Sequence, residues 1–167
     1  MAKTWEAIFP LIELPRKDSY GLILLDSNAA SHFSLTNAIG VVNSSQLKAL
    51  KSVLRKFSGS AWIILLHHAV VEYPETSMSL KDRIGLALVN APDLMAAVSP
   101  YASHVIILHG HRHVDWIGTW RDVVLCSAPS VALGSPGRQK GSFHVHELAL
   151  VGDGNIRLIS TQRVMVS

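Results

Sequence analysis

The sequence predicts an α/β fold with a mixed β-sheet and flanking helices. Two apolar runs, Trp62–Leu66 and Val105–Ile107, are typical of strands that are covered on both faces. The segment Ser45–Phe57 has the spacing of an amphipathic helix. Segments near the end of the chain alternate in polarity, which indicates antiparallel hairpins. Because covered strands and hairpin strands are both predicted, the sheet should be mixed.

The first half of the chain is predicted to contain two strands and one helix. In chain order these are an edge strand over Trp5–Leu14, a strand over Gly21–Asp26, and a helix from Ser44 or Ser45 to Phe57. Pro10 interrupts the first strand, and proline within a sheet is largely confined to edges. Serine is a favoured cap at the start of a helix, and Gly59 suits its end. The connection Ser27–Asn43 is predicted to be a loop.

The second half is predicted to alternate helices with strands and to end in hairpins. Helical spacing covers Leu80–Asn90, and Pro92 suits the start of a short helix over Asp93–Val98. Strands are predicted from His104 and over Val114–Thr119, Val123–Cys126, Ser142–Leu150 and Ile156–Val164. The glycines between the last two strands favour a tight turn.

Histidines follow each of the two apolar runs. The first run leads into His67-His68, and the second leads into Gly-His-Arg-His at residues 110–113. If the backbone stays extended, alternation places His111 and His113 on the same side, while Gly110 permits a tight turn. The carboxyl ends of strands in open α/β sheets border a crevice, where His67 can join them. Neutral imidazole binds Zn, Fe, Mn, Ni or Co, so the pattern predicts a metal site without identifying the metal.

The order of these parts resembles the carboxyl-terminal half of the calcineurin-like metallophosphoesterases. The shared parts are Leu25-Asp26-Ser27 at a strand end, a helix from Ser45, a strand ending in His67-His68, the Gly-His-Arg-His element, and further strands. The resemblance covers roughly residues 20–163. It implies half of the family's αββα sandwich, completed by oligomerisation, and one or two transition-metal ions (Zn, Mn or Fe, divalent or trivalent) per site.

Carried over by position, the resemblance implies that His67 and His111 bind one metal and that His113 binds the other. Asp26 and His68 are further candidate ligands, although Asp26 can equally cap a loop and His68 can orient a ligand or face solvent. The family's Asp-x-His, Gly-Asp and Gly-Asn-His-Asp/Glu motifs would precede Leu25, and residues 1–20 contain none of them. The resemblance therefore implies a single truncated domain over 1–167, in which one copy cannot complete the family's site.

Other polar and titratable residues are expected to be structural. His109 should point away from His111 along a strand, and Cys126 should be a buried thiol. His144 and His146 share a face and could bind metal, but a surface role on a terminal hairpin is favoured. Asp115 can orient a ligating histidine or be a surface charge.

The composition of the chain predicts its binding partners rather than the reaction it catalyses. Hydrophobic residues make up 49% of the chain and charged residues 16%, which indicates an association face and hence a homodimer or higher homo-oligomer. The net charge of +3 arises from scattered residues such as Lys48, Lys51 and Arg55, a pattern that favours a solvated face over nucleic-acid binding. No apolar run is long enough to cross a membrane, so a cytoplasmic protein without a membrane partner is expected.

The leading functional hypothesis is a metal-dependent phosphodiesterase. His67, His111 and His113 would be the catalytic ligands, and a metal-activated water would attack a small-molecule phosphodiester. Arg112 is a candidate contact for a phosphate oxygen. Two alternatives stay open: a non-catalytic metal-binding or scaffolding remnant, and a truncated product without function.

Overall fold

The structure, a computed structural model, describes residues 8–28, 39–73, 88–131 and 141–166. Its strands are β1 (Leu11–Glu13), β2 (Gly21–Leu24), β3 (Trp62–Leu65), β4 (Val105–His109), β5 (Trp116–Trp120), β6 (Val123–Ser127), β7 (Ser142–Val151) and β8 (Asn155–Met165). Its α-helices in the described ranges are α1 (Ser44–Lys56) and α2 (Ala91–Val98), and a 3-10 helix over Ser99–His104 leads into β4. The predicted helix over Leu80–Asn90 falls mostly outside the described residues, as do positions 5–7 of the predicted first strand.

The main sheet has six strands in the order β1-β2-β3-β4-β6-β5. Strands β2, β3, β4 and β6 are parallel, whereas β1 and β5 pair antiparallel at the two edges. Strands β7 and β8 form a separate antiparallel pair. The predicted mixed α/β sheet is therefore confirmed, and so is the terminal hairpin with its turn at 152–154.

The two faces of the main sheet have different covers. Ile23, Ile64, Ile107 and Leu125 lie in register across the four parallel strands and pack beneath the helices. Residues of the opposite face, Ile63 and Ile106 among them, pack against side chains of the β7–β8 hairpin. The second face of the sheet is thus covered by a hairpin of the same chain, because the hairpin's own apolar side chains need burial too.

Helix α1 begins at Ser44, one residue earlier than a Ser44 cap would place it and two residues earlier than a Ser45 cap would. Asn43 is the cap: its side-chain oxygen accepts a hydrogen bond from the Gln46 amide at 2.9 Å. Ser45 instead donates its hydroxyl to the Asn43 side chain at 2.6 Å. The predicted serine cap is therefore wrong, because asparagine takes the extended backbone that a cap needs and leaves both serines inside the first turn. Leu50 and neighbouring apolar residues are buried, while the basic residues are exposed as expected.

The lone cysteine is part of the packed interior. Cys126 is 2% exposed and lies among the apolar side chains between the main sheet and the hairpin. Burial raises the pKa of its thiol to about 11. The prediction of a buried core thiol is confirmed. Neither described helix is long and apolar enough to span a bilayer.

Candidate metal centre

The carboxyl ends of β3 and β4 carry the histidines to one edge of the sheet. The pairing of these strands continues past their ends: the Leu66 amide donates to the Leu108 carbonyl at 3.2 Å, and the Gly110 amide donates to the His67 carbonyl at 3.1 Å. Because the two segments remain hydrogen-bonded to each other here, His67 and His111 lie side by side beyond the ends of the strands. The crevice expected from the parallel topology therefore contains imidazoles from two adjacent strands.

His67 and His111 approach each other closely. His67 Nε2 and His111 Nδ1 lie 2.8 Å apart, and the two ring centroids are 4.6 Å apart. Two nitrogens bound side by side to one ion at about 2.0–2.1 Å would lie roughly 2.9–3.4 Å apart. The separation in the structure is close to the lower end of that range. The structure thus brings together two of the three histidines that were predicted to be ligands.

The backbone around these residues is not extended, which corrects the reasoning from alternation. His111 has φ 68° and His113 has φ 53°, both in the left-handed region, and the Arg112 amide donates to the Gly110 carbonyl at 2.8 Å. The turn predicted here exists, but the histidines make it rather than Gly110. His113 lies exposed beyond the pair. Its role as a ligand stays a prediction.

His68 lies directly behind the pair and is buried. Its ring centroid is 5.1 Å from that of His67 and 4.4 Å from that of His111. Ser27, at the end of β2, holds it: the Ser27 hydroxyl lies 2.9 Å from His68 Nδ1 and accepts from the His68 amide at 3.2 Å. A β-carbon on Gly40 would lie 2.3 Å from the ring, so Gly40 backs it closely. This surrounding favours a role in orienting the pair over exposure to solvent.

We expect Ser27→Ala to lower the free energy of unfolding by about 2 kcal/mol, because both buried hydrogen bonds to His68 are lost. Denaturant unfolding followed by tryptophan fluorescence measures the change. Ser19→Ala is the matched control, since that serine is exposed and should change stability by less than about 0.5 kcal/mol. Equal effects of the two substitutions would show that Ser27 does not hold His68.

Asp26 occupies a turn at the end of β2. Its carboxylate accepts from the Asn28 amide at 2.8 Å, and its backbone amide and carbonyl both bond the buried side chain of Gln46 at 2.8 Å. These contacts are the ones expected of a residue that caps a loop, which was the alternative prediction for Asp26. Its role as a metal ligand stays a prediction.

A second cluster of polar side chains lies near the carboxyl end of β4. Tyr73 donates its hydroxyl to Ser127 at 2.9 Å and lies 3.3 Å from His109 Nδ1. Burial lowers the pKa of His109 to about 4, so this imidazole is neutral near pH 7. The Arg112 guanidinium lies over the Tyr73 ring, with its carbon 5.0 Å from the ring centroid, and Arg112 is not part of an extended strand. The structural role of His109 stays a prediction.

Sequence reasoning missed the contacts of the neighbouring histidines: Ser27 bonds His68, whereas Tyr73 and Ser127 form a cluster with His109. Ser27 is part of the Leu25-Asp26-Ser27 element, but its contact with His68 was not predicted. Ser127 is the last residue of β6 and Ser27 lies shortly after the end of β2, so both follow parallel strands toward the carboxyl edge, where polar groups border the crevice. Tyr73 lies in a loop, and no sequence pattern marks it.

The imidazole pair fits two ligands of a transition-metal ion. In the ranges that the structure describes, however, no group of three or more His, Cys, Asp or Glu residues is arranged to hold one. Metal chemistry in proteins usually needs at least three protein ligands. The described residues therefore fit part of a metal site, and the further ligands stay a prediction.

No protein-family model matches this chain, and no curated protein matches it. Among solved structures it is similar to a Staphylococcus aureus protein assigned as a 5'-nucleotidase, in complex with alpha-ketoglutarate, with a TM-score of 0.53 and 10% identity. That alignment covers 93% of this chain but only 29% of the other. A single-mutant Vps29 from Entamoeba histolytica aligns over 87% of this chain and 99% of its own length at 13% identity, but its TM-score of 0.23 supports no argument. The likeness shows fold alone: this chain has an α/β fold similar to that of part of the Staphylococcus aureus protein.

Proposed function

We propose that this chain is a metal-dependent phosphodiesterase with His67 and His111 as ligands of the same ion. The observation that carries the proposal is the 2.8 Å approach of their nitrogens at the carboxyl ends of adjacent parallel strands. The resemblance to the calcineurin-like metallophosphoesterases supports it, and so does the likeness of fold to part of a protein assigned as a 5'-nucleotidase. His113, Asp26 and His68 are the proposed sources of further ligands or of orienting contacts. Zn, Mn and Fe all suit imidazole ligands.

The protein's own groups would position the reacting parts. When bound, the metal would lower the pKa of a coordinated water and polarise a phosphoryl oxygen. The turn at 110–113 directs the His111 ring toward His67, and the Ser27–His68 contact fixes a third ring behind them. Each of these supports lies in or next to the sheet, so the two nitrogens are held before substrate arrives.

A diester is the proposed substrate rather than a monoester. A phosphodiester carries one negative charge, whereas a monoester carries nearly two near neutral pH. Arg112 directly follows His111 in the sequence, and its guanidinium lies over the Tyr73 ring, so this arginine is engaged in a contact outside the imidazole pair. A singly charged substrate therefore costs less to bind here.

The test combines metal content with turnover on the full chain. Elemental analysis of the purified protein should find Zn, Mn or Fe, and hydrolysis of bis(p-nitrophenyl) phosphate should disappear after chelation and return on adding the metal. Turnover of p-nitrophenyl phosphate should be slower under the same conditions. Faster monoester turnover would overturn the diester assignment. Protein without metal and without chelator-sensitive hydrolysis would overturn the proposal.

A non-catalytic metal-binding module is the second candidate. One finding favours it: among the described residues, no three His, Cys, Asp or Glu side chains are arranged to hold a metal ion. A site with two firm ligands can bind a metal weakly and still fail to activate water. This candidate predicts bound metal without hydrolysis of either ester.

We further propose that a second copy pairs with strand β1. This strand is an edge of the sheet, and Leu11 and Ile12 are both exposed, at 42% and 36%, although they point to opposite faces. An apolar edge with unpaired backbone groups is a template for pairing with another chain.

The wild type should therefore sediment as a dimer or higher homo-oligomer, and Ile12→Lys should raise the dissociation constant at least tenfold, since a charged edge opposes pairing. Sedimentation velocity over a concentration series measures both. Val89→Lys is the control, because Val89 is also an exposed apolar residue but lies away from this edge. A wild-type monomer at all concentrations would contradict the proposal.

A further inference from the structure

A cleft separates the ends of the parallel strands from the start of the hairpin. Its volume is about 330 Å³, near the lower end of the ~300–1,000 Å³ of small-molecule sites. The walls are largely apolar and come from β3, β4, β6 and β7. They include Leu65, Leu108, Cys126, Ala128 and Phe143. Three imidazoles, those of His109, His144 and His146, also line it.

His144 is held in one orientation by charged neighbours. Its Nε2 lies 2.9 Å from one Asp115 oxygen, and the Arg163 guanidinium lies 2.6 Å from the other. Arg163 also donates to the Ser142 hydroxyl at 3.0 Å. The Asp115 carboxylate accepts a hydrogen bond from Nε2, and a carboxylate bound in this way orients the ring.

This contact leaves Nδ1 as the second polar atom of the His144 ring. The side chain is only 4% exposed, and among the described residues Nδ1 has no hydrogen-bond partner. A buried polar atom without a partner costs free energy, which makes it a favourable contact for a ligand with a hydroxyl group, since a hydroxyl can donate or accept. His146 differs, since its Nδ1 lies 2.8 Å from the Thr161 hydroxyl.

We infer that this cleft binds a small neutral molecule of one apolar ring that carries a hydroxyl group, a phenol, with the hydroxyl hydrogen-bonded to His144 Nδ1. The apolar walls exclude a charged ligand, because its desolvation would not be repaid there. Burial, and secondarily the neighbouring His144, lowers the pKa of His146, so this imidazole also favours a neutral occupant. The inference is independent of the proposed metal chemistry.

Fluorine NMR titration of the full chain with para-fluorophenol and para-fluorotoluene tests it. The two probes have nearly the same shape, but only the phenol carries a hydroxyl group. Both titrations are run with chelator present, so that metal binding does not affect the result. We expect the phenol to bind at least tenfold more tightly, although the apolar walls alone would favour the toluene. The phenol should also slow modification of Cys126, the single cysteine, by methyl methanethiosulfonate.

Three variants make the test specific. His144→Phe should abolish the preference for phenol, whereas His146→Phe, in the same cleft, should keep it. Ala128→Trp should weaken both probes at least tenfold by filling the cleft from an exposed position, where the fold tolerates it. Equal affinity of the two probes in the wild type, no binding of either, or an equal loss in both histidine variants would overturn the inference.

Discussion

His111→Asn should lower the affinity for Zn, Mn or Fe by about 100-fold or more and reduce diester hydrolysis to background. Loss of a residue that only orients a ligand typically costs 10–100-fold, so loss of a ligand should cost at least as much. Asparagine is chosen because His111 has φ 68°, a conformation that asparagine tolerates far better than alanine. The substitution therefore removes the imidazole and keeps the turn. Metal titration and bis(p-nitrophenyl) phosphate turnover measure the two effects.

His104→Asn is the matched control. His104 lies just before β4, at the opposite end of the strand from His111, and its Nδ1 lies 2.9 Å from the Gly154 carbonyl. The substitution removes a histidine without touching the pair, so metal affinity and turnover should stay at wild-type values. If both variants, or neither, lost metal, the His67–His111 assignment would be wrong.

Gly40→Ala should lower the free energy of unfolding by about 3 kcal/mol, at the upper end of the usual cost of overpacking. The new β-carbon would lie 2.3 Å from Cγ of the buried His68 ring, so one of the two must move. His68 in turn touches the His67–His111 pair, so we also expect weaker metal binding. Denaturant unfolding and metal titration measure the two losses.

Gly110→Ala provides a matched glycine at the same edge of the sheet. A β-carbon there would meet nothing within 4 Å, and Gly110 is not among the residues with positive φ. Alanine should therefore be neutral or stabilise slightly, by about 0.4–1 kcal/mol, through the reduced entropy of the unfolded chain. A larger loss of stability and metal binding in Gly110→Ala than in Gly40→Ala would contradict this prediction. It would show that the site depends on the glycine of the Gly-His-Arg-His element rather than on the packing of Gly40 against His68.

The secondary structure of the described residues was largely predictable because it depends on local patterns. The apolar runs of β3 and β4 and the alternation of β7 and β8 are properties of consecutive residues. Helix α1 was predictable for the same reason, apart from its cap, where Asn43 precedes two serines that could serve equally well. Such a choice depends on the backbone of one residue, and composition does not report it.

The candidate site was predictable only in part. The parallel topology places His67 and His111 at one edge, so their proximity follows from strand ends and apolar runs. The left-handed turn at His111 does not, because alternation describes extended backbone only. The roles of Ser27 and Gly40 were not predicted, because both residues act through contacts with His68, which lies far away in the sequence.

Periodicity and strand-end histidines alone thus define an α/β domain with imidazoles at the carboxyl edge of its sheet. Only the tertiary structure shows that His67 and His111 meet across 44 positions, that the chain's own hairpin covers the second face of the sheet, and that Asp115 orients His144. The physical reason is the range of the interactions. Hydrophobic periodicity acts between neighbours along the chain, whereas hydrogen bonds and close packing act between side chains that folding alone brings together.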